Sequence, residues 1–274
     1  MPKSKKRNKK AASNKLFITV FSMVVLVLGL AWFVANITKP QKPYIASGHP
    51  QWPPIMWQNN DKIIGVGPQL VAKIAQDLNL NIESKYSGLW NVVQDKVKTG
   101  DIDMLVAAYK TKEREEYMDY SIPYTIDPVA LFVKKDKKFV YSKWKDLIGK
   151  KGVATVGDSY GQEFDDFLKA NLYVTRLDTV QEAFDALISE RADYFLYALY
   201  SGEKELAAVN LEAKIEACPT YVTSENFYIT ISKKSALGKF LPRINLLLNK
   251  YRKDGTIDSL IAANKKLFSQ KTEP

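Results

Sequence analysis

The run Gly157-Asp158-Ser159-Tyr160-Gly161 matches the spacing G-x-S-x-G of a nucleophile elbow and follows an apolar stretch that reads as a strand. An elbow of this kind exposes a serine hydroxyl at a strand-to-helix turn, and it needs a histidine base later in the chain. The only histidine is His49, more than a hundred residues upstream, so the hydrolase reading fails. What survives is the turn. Free backbone N–H groups at a helix start, beside a hydroxyl, make a site for an anion such as a carboxylate; the alternative is an ordinary tight turn with a serine cap. With one Cys (Cys218) and one His, the chain can form neither a disulfide nor a Cys/His zinc site, which takes three or four such ligands. Cys218 reads as a small core filler and His49, beside Pro50, as an exposed loop residue. No cofactor is expected.

Composition sets the frame for these residues. Of 274 residues, 46% are apolar, enough for a sizeable core and too many for a disordered chain. The net charge of +10 hints at nucleic acid, but its distribution argues otherwise. Eight of the forty Lys and Arg residues fall within residues 1–40, which contain no acid, leaving thirty-two against thirty acids in the rest. The folded part is therefore nearly neutral, and no nucleic-acid partner is expected.

Residues 1–15 form a basic tail, and residues 16–35, LFITVFSMVVLVLGLAWFVA, carry no charge. A helix of twenty residues spans about 30 Å, the thickness of a bilayer core. The basic cluster before it orients the remaining chain outward. Phe33-Val34-Ala35 puts a bulky Phe where cleavage wants a small residue, which favours an uncleaved anchor over an atypical signal peptide. The expected location is the cytoplasmic membrane, single-pass, with the folded part outside or in the periplasm; cleavage would make it soluble and periplasmic. Residues 36–42 read as a Pro-containing linker.

Beyond it, strand and helix patterns alternate, which argues for an α/β fold. Gly67-Pro68 opens a helix striped by Leu70, Val71, Ile74, Ala75 and Leu78. Strands are expected at 102–108, 129–133, 151–156, 193–199 and 227–231, with a charged turn at 134–138. Helices are expected at 162–170 and 178–190, and two more follow near the C-terminus, split at Lys253-Asp254-Gly255-Thr256.

Several of these segments resemble extracytoplasmic solute-binding proteins of the polar amino-acid ABC-importer family. Trp52-Pro53-Pro54-Ile55-Met56-Trp57 followed by Ile64-Gly65-Val66-Gly67 is similar to the family's aromatic-Pro strand end and first helix. The most specific stretch is Gly100-Asp101-Ile102-Asp103, then Thr111-Lys112-Glu113-Arg114, then Asp119-Tyr120-Ser121-Ile122-Pro123-Tyr124, which resembles "G.iD…T.eR…dfS.PY". Lys145-Asp146-Leu147-Ile148-Gly149-Lys150 and Ala192-Asp193-Tyr194-Phe195-Leu196 are similar to later family motifs.

The resemblance covers most of residues 43–270 and implies a two-lobed type II periplasmic-binding fold. Lobe one would take 43–127 and 227–274, and lobe two 128–226. It implies that Arg114 grips a ligand carboxylate, a task suited to a bidentate guanidinium; the alternative is a solvated helix charge. Trp52 and Trp90 would pack on the ligand or else belong to the core. The Ser159-Tyr160-Gly161 turn would supply second-lobe donors. Two positions depart from the pattern. Ala198, preceded by Tyr197, stands where the family has the acid for the α-ammonium, and the phenol of Tyr109 replaces a smaller hydroxyl. The pocket is therefore expected to be unusually aromatic, tolerating a ligand without an α-ammonium or holding a bulkier cation on its ring faces, so that common α-amino acids bind poorly; the alternative is that another acid, such as Glu203, restores the usual grip.

The implied function is capture of a small anionic or zwitterionic solute for an ABC permease, without catalysis. A dehydratase on the same fold, similar to cyclohexadienyl dehydratase, and a ligand-sensing module for a membrane partner are the alternatives.

Overall fold

Two stretches of βαβ alternation become two blocks of parallel sheet. The computed structural model of the chain describes residues 23–30 and 42–271, and the chain divides into two units, Met1–Lys42 and Pro43–Pro274. In the first unit, residues 23–30 are α-helical (α1). The basic tail 1–15, the rest of the expected membrane segment (16–22 and 31–35) and linker residues 36–41 lie outside the described residues. Among the described residues no helix is long and apolar enough to cross a membrane.

In the second unit, β1 (Tyr44–Ser47) leads into a small antiparallel sheet of β2 (Gln51–Trp52), β3 (Met56–Asn59) and β4 (Lys62–Ile64). Helix α2 (Val66–Leu78) follows, burying Leu70, Val71 and Ile74 at the spacing of one helical face. It ends at Asn79 in the left-handed region (φ 51°), whose N–H closes onto the Ala75 and Gln76 carbonyls. Next come β5 (Ile82–Ser84), α3 (Trp90–Thr99), β6 (Met104–Ala108) and the short α4 (Lys112–Glu115). Strand β1 pairs in parallel with both β5 and β6.

The second block repeats this scheme. After the long β7 (Met118–Lys134) come β8 (Lys151–Thr155), α5 (Gln162–Asn171), β9 (Tyr173–Leu177), α6 (Val180–Ile188), β10 (Tyr194–Ala198) and α7 (Leu199–Ala208). Strand β8 pairs in parallel with β9 and β10. Then β11 (Ile215–Ala217) and β12 (Thr223–Ser232) return antiparallel to β7, and α8 (Leu241–Lys253) and α9 (Thr256–Lys271) close the chain. The main sheet runs β5-β1-β6-β12-β7-β10-β8-β9. Strand order therefore reverses twice, at β1 and at β8, and ligands of open α/β sheets bind beyond the carboxyl ends of strands at such points. The result is a two-lobed type II periplasmic-binding fold whose lobes share the β7–β12 pair.

One expected element changes its extent. The strand expected at 129–133 is the end of the seventeen-residue β7, which starts at Met118 and includes the Ser-Ile-Pro-Tyr motif. Pro123 lacks the N–H that a regular ladder needs, and it sits where the β12 register shifts between Phe227 and Tyr228. Cys218 is half-buried against the core rather than inside it, because it lies just past the short β11 at the margin of the sheet, where its N–H bonds the Leu131 carbonyl at 2.7 Å. Helix α8 anchors to α2 through Tyr251, whose hydroxyl donates to Asp77 Oδ2 at 2.7 Å.

Gly202 on α7 lies directly against the ring of Phe132, which is fully buried. A Cβ there would overlap that ring, and the packed core leaves it nowhere to move. Gly202→Ala should therefore destabilise the fold by roughly 1–3 kcal/mol, the usual range for overpacking, measured as a lower urea midpoint at unchanged slope.

Candidate functional site

The carboxyl ends of β1, β6 and β8 deliver His49, Tyr109 and the Gly157–Gly161 turn to one place. Arg114 arrives from α4, whose N-cap Thr111 accepts the Arg114 N–H at 3.2 Å. Only 5% of Arg114 is exposed, and each of its three guanidinium nitrogens donates a hydrogen bond. Nη1 donates to the Tyr109 carbonyl at 3.1 Å, Nη2 to the Gly157 carbonyl at 3.0 Å and Nε to Gln94 Oε1 at 3.0 Å. The Trp90 ring lies 5.4 Å from the charge, within cation–π range.

Trp52 forms the centre of an aromatic cluster. Its ring lies 5.0 Å from Tyr197, 5.1 Å from His49, 5.9 Å from Tyr109 and 6.2 Å from Phe227. The indole N–H donates to Asp127 Oδ2 at 2.7 Å, and the Tyr109 hydroxyl reaches the same oxygen at 3.4 Å. Burial pushes the Asp127 carboxyl up to about 7, with these two hydrogen bonds pulling partly the other way. Burial, and next the nearby Asp127 charge, hold the Tyr109 phenol well above its ordinary value.

Trp52, Trp90, Tyr109, Arg114 and Ser159 meet around one cavity of about 20 Å³. That volume holds about one water, whereas small-molecule pockets run to roughly 300–1,000 Å³. Arg114, Asp158 and Ser159 also border an adjoining groove of about 600 Å³, between α3 and α5. At this size the inner cavity has no room for an amino-acid-sized solute, and the two lobes meet around it. The contacts that hold them together are direct: the Ser201 hydroxyl donates to the Pro53 carbonyl at 2.6 Å, Gln94 Nε2 to the Gly157 carbonyl at 3.1 Å, and the Tyr197 hydroxyl to the Gln51 carbonyl.

The other residues singled out in the turn and on β10 do not reach the cavity wall. Tyr160 is fully buried and donates its hydroxyl to the Leu196 carbonyl at 2.9 Å. Gly161, at φ 93°, carries the Glu225 carboxylate against its Cα, where no side chain fits. Tyr197 packs behind Trp52 and stacks on Phe195 at 5.0 Å. The donors of the turn are taken internally: the Ser159 hydroxyl donates to Asp165 Oδ2 at 2.5 Å and the Tyr160 N–H to Asp165 Oδ1 at 2.9 Å. Ser159 has no imidazole partner.

His49 corrects the expectation of an exposed loop residue. It is 3% exposed, because Trp52 and Trp90 flank its ring, and its Nε2 lies 3.3 Å from Asp158 Oδ1. Asp127, Asp158 and His49 were not recognised from the sequence as site residues. The one available signal was Asp127, an acid set in the apolar strand run before Pro128-Val129-Ala130-Leu131. Glu203, by contrast, is exposed. Among the described residues no group of three His, Cys, Asp or Glu could hold a metal ion.

Two lobes meeting over a buried arginine, an aromatic cluster and a polar turn define a solute-binding protein of the periplasmic-binding fold. Residues 45–265 match the model for bacterial extracellular solute-binding proteins, family 3, and the chain belongs to that family. It is similar to the "Probable amino-acid-binding protein YxeM" of Bacillus subtilis, at 24% identity over 76% of this chain and 78% of that one. The L-cystine-binding protein TcyJ of Escherichia coli K12 is 25% identical over 76% and 77%. Among solved structures, an ancestral arginine-binding protein bound to arginine superposes with a TM-score of 0.68 at 26% identity, covering 81% of this chain and 97% of that one. Solute binding is what the family's description and the names of these relatives state.

Asp127 makes the site sensitive to pH. Its carboxyl rises from 3.8 to about 7 on folding, so between those values the folded chain keeps a proton that the unfolded chain has lost. This stability is full below about pH 4 and is lost as pH climbs through about 7. The displacement corresponds to about 4 kcal/mol at about 1.4 kcal/mol per pH unit. Asp127→Asn should flatten that part of the stability curve from urea unfolding between pH 4 and 8. Glu205, also raised to about 7 by burial, should leave a residual slope.

Proposed function

We propose that the protein captures an α-amino acid or a related small carboxylate outside the cytoplasmic membrane and delivers it to an ABC permease. Lobe one would comprise 43–127 and 227–274, and lobe two 128–226. The observation that carries this reading is Arg114. Its guanidinium is buried between the two blocks of sheet, and one of its acceptors, the Gly157 carbonyl, belongs to the opposite block. Parting the lobes removes that acceptor and leaves the Nη2 donor for a solute carboxylate. Trp52, Trp90 and Tyr109 would pack against the rest of the solute, with the Ser159 turn closing over it. The names of the relatives, an amino-acid-binding and an L-cystine-binding protein, support the same solute class.

The test is a thermal-shift screen of the twenty L-amino acids and L-cystine, followed by calorimetry. Binding to the folded state stabilises in proportion to ln(1 + [L]/Kd). Arg114→Ala should weaken the tightest of them by roughly 2–5 kcal/mol, the cost of stranding a buried charge. Unchanged affinity would remove Arg114 from the site, and no binding across the panel would remove the amino-acid reading.

Residues 16–35 would hold the protein at the membrane. Support comes from the uncharged twenty-residue run, the basic residues before it and the helical residues 23–30 within it. Fractionation of cells making the full chain should place uncleaved protein in the membrane pellet. Soluble protein beginning near Asn36 would instead mark the segment as a cleaved signal.

A further inference from the structure

A bound amino acid presents an ammonium as well as a carboxylate, and desolvating an ammonium without an anion is costly. Strand β10 offers Ala198 where the resemblance leads one to expect an acid. The other carboxylates near the cavity are mostly committed. Asp165 takes the Ser159 hydroxyl and the Tyr160 N–H. Asp127 Oδ2 takes Trp52 and Tyr109, and the residue lies behind those rings. Glu203 is exposed.

Asp158 is different. It is 7% exposed and borders both the inner cavity and the adjoining groove. Its Oδ2 accepts the Thr155 hydroxyl, while Oδ1 is buried and accepts no hydrogen bond. His49 Nε2 lies 3.3 Å from Oδ1 without forming a hydrogen bond to it. His49 Nδ1 accepts the Gln51 N–H at 2.9 Å, so the neutral ring carries its proton on Nε2, facing Asp158. The imidazole reaches across from the end of β1 and occupies the approach to Oδ1 between Trp52 and Trp90.

We propose that Asp158 receives the solute's α-ammonium, in place of an acid on β10, and that His49 covers this carboxylate until the solute displaces it. The inference rests on the reading of Arg114 as the carboxylate site and extends it. Spacing supports it: Arg114 bonds the carbonyl of Gly157, the residue before Asp158. Arg114 and Asp158 border the same inner cavity and the same groove, which suits a ligand that carries its two charges on one carbon. The class selected is the α-amino acid zwitterion. A carboxylic acid of the same side chain without the amine would satisfy Arg114 and leave Asp158 Oδ1 unpaired.

The experiment takes the amino acid that most stabilises the full-length wild-type protein in the panel above, and its deamino carboxylic acid. Calorimetry should show wild type preferring the amino acid by at least about 30-fold, since truncating one partner of a buried charge pair costs roughly 2 kcal/mol or more. Asp158→Asn should bring the two compounds within about threefold, with affinity for the deamino acid kept. Retained preference, or equal weakening of both compounds, would overturn the assignment and leave the Arg114 reading standing. Absence of amino-acid binding by wild type would overturn both. Should Asp158→Asn fold poorly, wild type still decides: His49 is the chain's only histidine, so its imidazole NMR signals need no assignment. They should shift on adding the amino acid and move little with the deamino acid; identical responses would refute the proposal.

Discussion

The guanidinium of Arg114 is the contact on which the cleft depends. A buried cation must have its donors satisfied or the fold carries an uncompensated charge. Here the demand is met by one carbonyl from each side of the cleft, a glutamine amide and an indole face. Because the Tyr109 carbonyl comes from the end of β6 and the Gly157 carbonyl from the end of β8, satisfying one side chain draws the two parallel blocks together. The surrounding rings then exclude water, and low local polarity strengthens each remaining charge interaction.

Much of this was legible in the sequence, and what was hidden has a physical cause. The α/β class followed from alternating strand and helix patterns, the Ser159 turn from its own spacing, and the two lobes with Arg114, Trp52, Trp90 and Tyr109 from the family resemblance; the last four and Ser159 line one cavity. The continuous β7 was not legible, because two prolines interrupt its pattern and only the pairing with β12 reveals one strand. His49 and Asp158 were missed for a related reason. Each looks like a loop residue in its own neighbourhood, and their pairing spans 109 positions. Nor could the sequence show that the Ser159 hydroxyl is spent on Asp165, six residues on along the same turn and helix. Local spacing reveals which groups share a turn; it cannot reveal which acceptor each donor selects.

The site also shows how a fold exchanges one polar solution for another. With Ala198 and Tyr197 on β10, that strand contributes a methyl and a ring to the cleft's support rather than a charge. The acids nearest the cavity come instead from β7 and from the turn after β8. Asp127 braces two aromatic rings from behind, and burial, which raises its carboxyl, outweighs the pull of those two hydrogen bonds toward the ionised form. Asp158 sits in front, beside the only histidine. Two carboxylates a short way apart thus have different surroundings and different work.

The central pair of strands has a mechanical meaning. Strand β7 runs unbroken through both lobes, and β12 lies alongside it, with their alignment slipping between Phe227 and Thr230. At that slip β12 is held on both edges, by β7 and by β6, whose own register with it also shifts between Tyr228 and Thr230. What joins the two blocks at the cleft is a handful of side-chain contacts far from that slip: the Arg114 guanidinium, the Gln94 amide and the Ser201 and Tyr197 hydroxyls.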